Sequence, residues 1–247
     1  MKKITYTLLA GAALSSSHLM AGNEVVQAPA EDPAFALDIG AGYNTKYIWR
    51  GLDLGNDMVE LSAEVTGAYA GLDLTAGAWY AHVSDQVSGA PKGELDLYFD
   101  ASKDLGFATA SVGYIFYHFA NSSSAAEDAQ EIYFGLSKDI AGFSTSLKYF
   151  WDIETDNQGY SELAIEKEIT IPMSSYTVDA GVTVGYLVEE GALSHITGKV
   201  SKSFSLCSGV TATPYVAYTV ELDDLERNYG TSEQNEFFAG VALGYSF

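Results

Sequence analysis

From Phe35 onward the chain alternates. Phe35, Leu37, Ile39, Ala41, Tyr43, Tyr47 and Trp49 share one parity, and Val59, Leu61, Ala63, Val65 and Tyr69 then alternate with Glu60, Ser62, Glu64 and Thr66. A period of two marks a strand whose two faces meet different surroundings. The pattern returns near 72–80, 95–100, 108–116, 132–136, 143–151, 163–165, 176–186, 196–200 and 212–220. It ends with Phe237, Ala239, Val241, Leu243, Tyr245 and Phe247 on one face. That predicts twelve strands. Their connections sort into tight turns (70–71, 103–106, 139–142, 172–175, 205–209) and longer loops (51–57, 84–92, 121–128, 153–159, 222–235), with 189–192 the shortest of the second class.

A two-faced strand at a chain end has a bare edge that invites aggregation, and pairing it with the first strand removes that edge. With lipid against the apolar face, the pattern predicts an all-β fold: a transmembrane antiparallel up-and-down β-barrel of about twelve strands over residues 34–247, with both ends periplasmic. Two aromatic bands fit the two membrane interfaces. Tyr69, Phe107, Phe143, Tyr176, Phe204 and Phe247 flank the short turns; Tyr47, Trp49, Tyr80, Phe116, Trp151, Tyr186 and Tyr218 lie near the longer loops. The final strand, with Tyr245 and the terminal Phe247, looks like the signal by which bacterial outer-membrane barrels are inserted. The partners it implies are the barrel-assembly machinery and outer-membrane lipids.

The amino terminus fits this destination. Met1-Lys2-Lys3, an apolar run to about Leu14 and a serine cluster read as a signal peptide over 1–21, with cleavage after Ala21 or after Ala30. Residues 22–33 are polar and aperiodic, a periplasmic leader. The apolar core is too short to span a membrane as a helix.

Charge narrows the function. The chain holds 12 Lys and Arg against 33 Asp and Glu, a net charge of −21, and losing Lys2 and Lys3 with the signal deepens it to about −23. Nucleic acid is excluded as a partner, since phosphate binding needs the opposite sign. The single Cys207 can form neither an internal disulfide nor a cysteine metal cluster, and no pattern points to a cofactor.

Internal similarity supports repeated hairpins. Residues 97–107 closely match residues 132–143 with one inserted residue, and Leu61, Leu163 and Ile196 begin weaker copies.

The motif Tyr47-Ile48-Trp49-Arg50-Gly51, with the later Tyr149-Phe150-Trp151-Asp152 and Tyr160-Ser161-Glu162-Leu163, resembles the TorF-type porin family of Gram-negative outer-membrane β-barrel proteins. The resemblance covers essentially the mature barrel. It implies a signal peptide, a barrel and a pore, and it makes Tyr47, Arg50 and Gly51 the signature residues of the mouth.

Opposite the lipid-facing parity lie Glu60, Glu64, Asp73, Glu94, Asp96, Asp100, Glu131, Glu162, Glu166 and Asp179, against few bases (Lys46, Arg50, Lys148, Lys199). Carboxylates facing hydrocarbon are costly, so they belong inside. The expectation is an acidic, cation-preferring lumen for ions and small cationic or neutral solutes. A plugged polar interior is the alternative, since twelve strands fall between filled and open barrels. Arg50, on the inward parity at the mouth, is expected to pair with lumen carboxylates and hold the first loop, with Gly51 permitting a tight start. An enzyme is the other alternative. His82 and Ser84 share a face at the outer rim, as in a phospholipase-like lipid hydrolase, but Asp85 follows the serine and no flanking motif supports it. The expectation is no enzyme.

Overall fold

The structure is a computed structural model that describes residues 35–87, 90–120, 128–154, 158–172, 176–222 and 235–247. The signal peptide, both cleavage positions and the leader lie outside the described residues. The strands are β1 (Ala36–Trp49), β2 (Leu52–Tyr69), β3 (Leu72–Gln86), β4 (Gly93–Asp104), β5 (Thr109–Ala120) and β6 (Ala129–Ile140). They continue with β7 (Phe143–Asp152), β8 (Tyr160–Thr170), β9 (Thr177–Leu187), β10 (Ala192–Ser201, resuming at Phe204–Cys207), β11 (Val210–Glu221) and β12 (Glu236–Ser246).

Every strand pairs antiparallel with its neighbours in sequence, and β1 closes the ring on β12 from Asp38↔Ser246 to Asn44↔Gly240. The last backbone N–H, on Phe247, donates to Leu37 O at 3.0 Å. The result is a closed antiparallel barrel of twelve strands. Its outward parity is apolar and uncovered: Leu61, Phe99, Phe134, Leu147, Trp151, Val182 and Val216 are all exposed, as are Tyr69, Phe107, Tyr176 and Phe247 at the end carrying the termini. A continuous band of this kind is stable only against lipid, so the barrel is a membrane barrel.

Short turns explain the hairpins. Ala70-Gly71 (φ 52° and 76°) and Ala141-Gly142 (φ 53° and 80°) are both left-handed two-residue turns, whose twist matches that of the flanking strands. At the tenth strand, Pro214 of β11 lies opposite Lys202, whose N–H it accepts at 3.2 Å. Having no N–H to return, Pro214 leaves the ladder one bond short, and β10 breaks at Lys202 and Ser203. The expected turn at 205–209 shrinks to Ser208-Gly209, because β10 resumes and runs to Cys207.

The first hairpin departs most from expectation. No loop occupies 51–57: β2 begins at Leu52, and the connection is the two-residue turn Arg50-Gly51, again left-handed (φ 46° and 82°). The register slips between Tyr47 and Ile48, and Gly55 (φ 149°) and Asp57 (φ 54°) distort the facing strand. A bulge puts adjacent residues on one face: Lys46 and Tyr47 both turn inward, so parity counted from Phe35 fails from Tyr47 on. Tyr47, expected in the lipid-facing band, is 2% exposed inside the barrel, and Trp49 packs against the interior cluster.

Candidate functional site: the barrel interior

The tip of the first hairpin crosses the barrel. Arg50 leaves β1 and reaches the opposite wall, where its guanidinium donates fork to fork to Glu131 of β6, both bonds 2.8 Å. The guanidinium also lies over three rings: Tyr160 of β8 at 4.3 Å, Trp49 at 4.7 Å and Phe150 of β7 at 4.8 Å. Delocalised charge on a planar group suits both contacts at once. Gly51 sits hard against β10. A Cβ built on it would lie 2.5 Å from Cβ of His195, which itself stacks on Tyr160.

Around this tip the carboxylates meet aromatic donors. Tyr117 donates to Glu131 at 2.8 Å, and Tyr47 donates to Glu94 at 2.8 Å. Glu94, Asp96, Glu131 and Asp152 are all within 2% of full burial, so the loop end of the interior is filled. A second tier lies deeper. Trp79 and Asn44 donate to Glu60, Tyr98 to Glu64 and Tyr133 to Asp100. These donors carry no charge, so they satisfy the carboxylate oxygens they reach without adding positive charge to the interior.

Toward the termini end the packing opens. Glu162, Glu166 and Asp179 are only partly covered, and Asp73 is exposed at the rim. A cavity of about 390 Å³ lies against the inner face of β5–β8. Back at the loop end, Lys46 pairs with Asp53 at 2.7 Å and with Glu236 at 3.0 Å.

The structure distributes the ten sequence-derived carboxylates along the barrel. Glu94, Asp96 and Glu131 lie in the filled tier; Glu60, Glu64 and Asp100 hold the middle; Asp73, Glu162, Glu166 and Asp179 face the open half. Sequence reasoning missed the inward aromatics Trp79, Tyr98, Tyr117, Tyr133, Phe150 and Tyr160. Their signal was present: each sits on the polar parity, as Tyr98 does between Asp96 and Asp100. His82 and Ser84 both fall on the outward parity, His82 partly covered and Ser84 exposed, with no hydrogen bond between them among the described residues. At the other end Tyr245 and Phe247 pack edge to face, their ring centres 4.5 Å apart.

A protein-family model described as "Bacterial protein of unknown function (Gcw_chp)" matches residues 27–205. The chain belongs to this family. The family's description assigns no activity. Among solved structures the chain is similar to a KdgM porin, with 13% identity over 86% of this chain and 99% of that one (TM-score 0.46). It is similar to the COG4313 outer membrane channel from Pseudomonas putida F1, with 9% identity over 92% and 99% (TM-score 0.48). It is also similar to outer membrane phospholipase A from Escherichia coli, with 12% identity over 86% and 93% (TM-score 0.47). None of these scores carries chemistry to this chain, and the barrel rests on the strand pairing described above. A search of curated proteins finds no match.

Proposed function

We propose that the barrel is an outer-membrane channel whose acidic lumen favours small cations and admits neutral polar solutes. The observation that carries this reading is the imbalance on the inner wall. Ten of the expected carboxylates stand on the inward parity, while Lys46 and Arg50, two of the four bases opposing them, are engaged with Asp53, Glu236 and Glu131. A wall of that sign lowers the energy of a cation in the lumen and raises that of an anion. The TorF-type resemblance of the Tyr47–Gly51 motif supports the same reading. Buried side chains fill the Arg50 tier, so a small conductance is expected of the resting barrel.

The test is a single-channel recording of the purified protein in a planar bilayer under a potassium chloride gradient. Discrete openings with a reversal potential on the potassium side are expected. Openings that prefer chloride overturn the selectivity.

The filled tier favours a second reading, a plugged structural barrel. Its signature is no conductance at all, in the wild type and in variants lacking the Arg50 contact. Nothing in the placement of His82 and Ser84 favours the lipid hydrolase.

A further inference from the structure

The open half of the lumen contains a bay with opposite charges that do not close on each other. Along β7 and β8 the facing pairs are Ser144↔Glu166, Ser146↔Ala164 and Lys148↔Glu162, and on the other side Ser146 faces Ser137 of β6. Small residues thus form the floor, and charged ones rise on either side of it. The cavity between them measures about 390 Å³, the size of a site for a small organic molecule.

Lys148 and Glu162 are direct neighbours across the ladder, yet among the described residues no ion pair joins them. Each is drawn away by an aromatic partner. The Lys148 ammonium lies 5.4 Å from the centre of the Tyr133 ring, toward β6, while Tyr160 donates to Glu162 at 3.1 Å from the loop side. Glu166 stands two pairs further toward the termini end. Lys138 and Asp139 also line the cavity at its open end, where Ser137 and Ser144 are exposed and Ser144 donates to Asp139 at 2.9 Å. Around the Ser146 floor the bay therefore presents Lys148 with Glu162 on one side and Glu166 on the other.

We infer that this bay binds a small zwitterion, an amino acid or dipeptide, with its carboxylate on Lys148 and its ammonium between Glu162 and Glu166. The serine hydroxyls, each both donor and acceptor, complete the hydration of the peptide group. A solute with one charge satisfies only one side and leaves the other unpaired, which makes the site select for both charges together. An uncharged polyol finds the floor but neither anchor. This inference names the solute class of the channel proposed above, and rests on that reading for its role in transport.

The test is isothermal titration of the full chain in detergent micelles with glycylglycine, against acetate, methylammonium and glucose. Saturable binding of glycylglycine is expected, with each half-probe and glucose weaker by about tenfold or more, the value of one charged hydrogen bond. Lys148→Met and Glu162→Gln should each weaken glycylglycine by a similar factor. Glu166→Gln, at a partly exposed position, is the variant to use if either of the others does not fold. No heat with glycylglycine, equal binding of glucose, or indifference to these substitutions overturns the inference. Titration in micelles needs no ion flow. A barrel that binds but does not conduct keeps this site and loses the channel, and one that conducts without binding does the reverse.

Discussion

Arg50 and Glu131 stand on opposite walls of the barrel and meet fork to fork, two bonds of 2.8 Å, although they are 81 positions apart in the chain. No strand of the wall needs this contact, since β1 and β6 are not neighbours. Its effect is to hold the first hairpin across the lumen. Removing one partner of a buried pair leaves the other charge uncompensated, at a cost of about 3–5 kcal/mol. Arg50→Ala should therefore lower the resistance of the barrel to urea unfolding and raise single-channel conductance above wild type. Glu131→Gln should act in the same direction more weakly. Unchanged conductance in both would show that the hairpin tip does not limit the path.

Gly51 offers an independent approach to the same element. Its φ of 82° is unfavourable for any L side chain by about 1–2 kcal/mol. An added methyl group would in addition strike His195, which is backed by the Tyr160 ring. Gly51→Ala should displace the tip and reproduce the conductance change of Arg50→Ala while every charge remains. A wild-type recording from Gly51→Ala would assign the Arg50 effect to charge instead of position.

Tyr47 was placed on the lipid side by alternation and stands inside, donating to Glu94. The alternation succeeded for most of the wall because one cause governs it, hydrocarbon outside and polar groups within. It failed where two residues share a face, Lys46 and Tyr47 at the slip in β1, opposite the distorted stretch at Gly55 and Asp57. The carboxylates of the interior were legible for the same reason as the wall, because charge cannot face lipid. Their partners were not, because an aromatic on the polar parity gives no sign of which strand it will reach. Tyr47→Phe tests the corrected placement. It should cost about 1–3 kcal/mol by leaving Glu94 short of a donor, measured by urea unfolding in lipid vesicles. A substitution without effect would return Tyr47 to the lipid face.

The closing strand makes a different kind of prediction. The Phe247 ring is exposed and its backbone N–H makes one bond to Leu37, so the finished wall loses little without it. Deleting Phe247 should leave the precursor exported but poorly inserted, read as the ratio of outer-membrane to periplasmic protein. Normal accumulation in the membrane would mean that the terminal residue carries no assembly information.

Selectivity distinguishes the tiers of the lumen. Glu94, Asp96 and Asp100 lie on one face of β4, yet they do not meet the same environment. Glu94 and Asp96 are 2% and 0% exposed within the filled tier, whereas Asp100 is half-buried beside Tyr133. An ion in transit feels most strongly the charges it approaches without intervening packing, and screening over about 8 Å at physiological salt removes distant ones. Asp100→Asn, Glu166→Gln and Asp179→Asn should therefore each move the reversal potential in a potassium chloride gradient toward zero, and their combination should move it furthest. Neutralising Glu94 or Asp96 should instead show first as lost stability or altered conductance. Acid acts in the same direction as the amides, since protonation removes the charge that attracts the cation, so selectivity should decline as pH falls. A triple variant with the wild-type reversal potential, or selectivity indifferent to acid, would place the source of selectivity outside the inner wall.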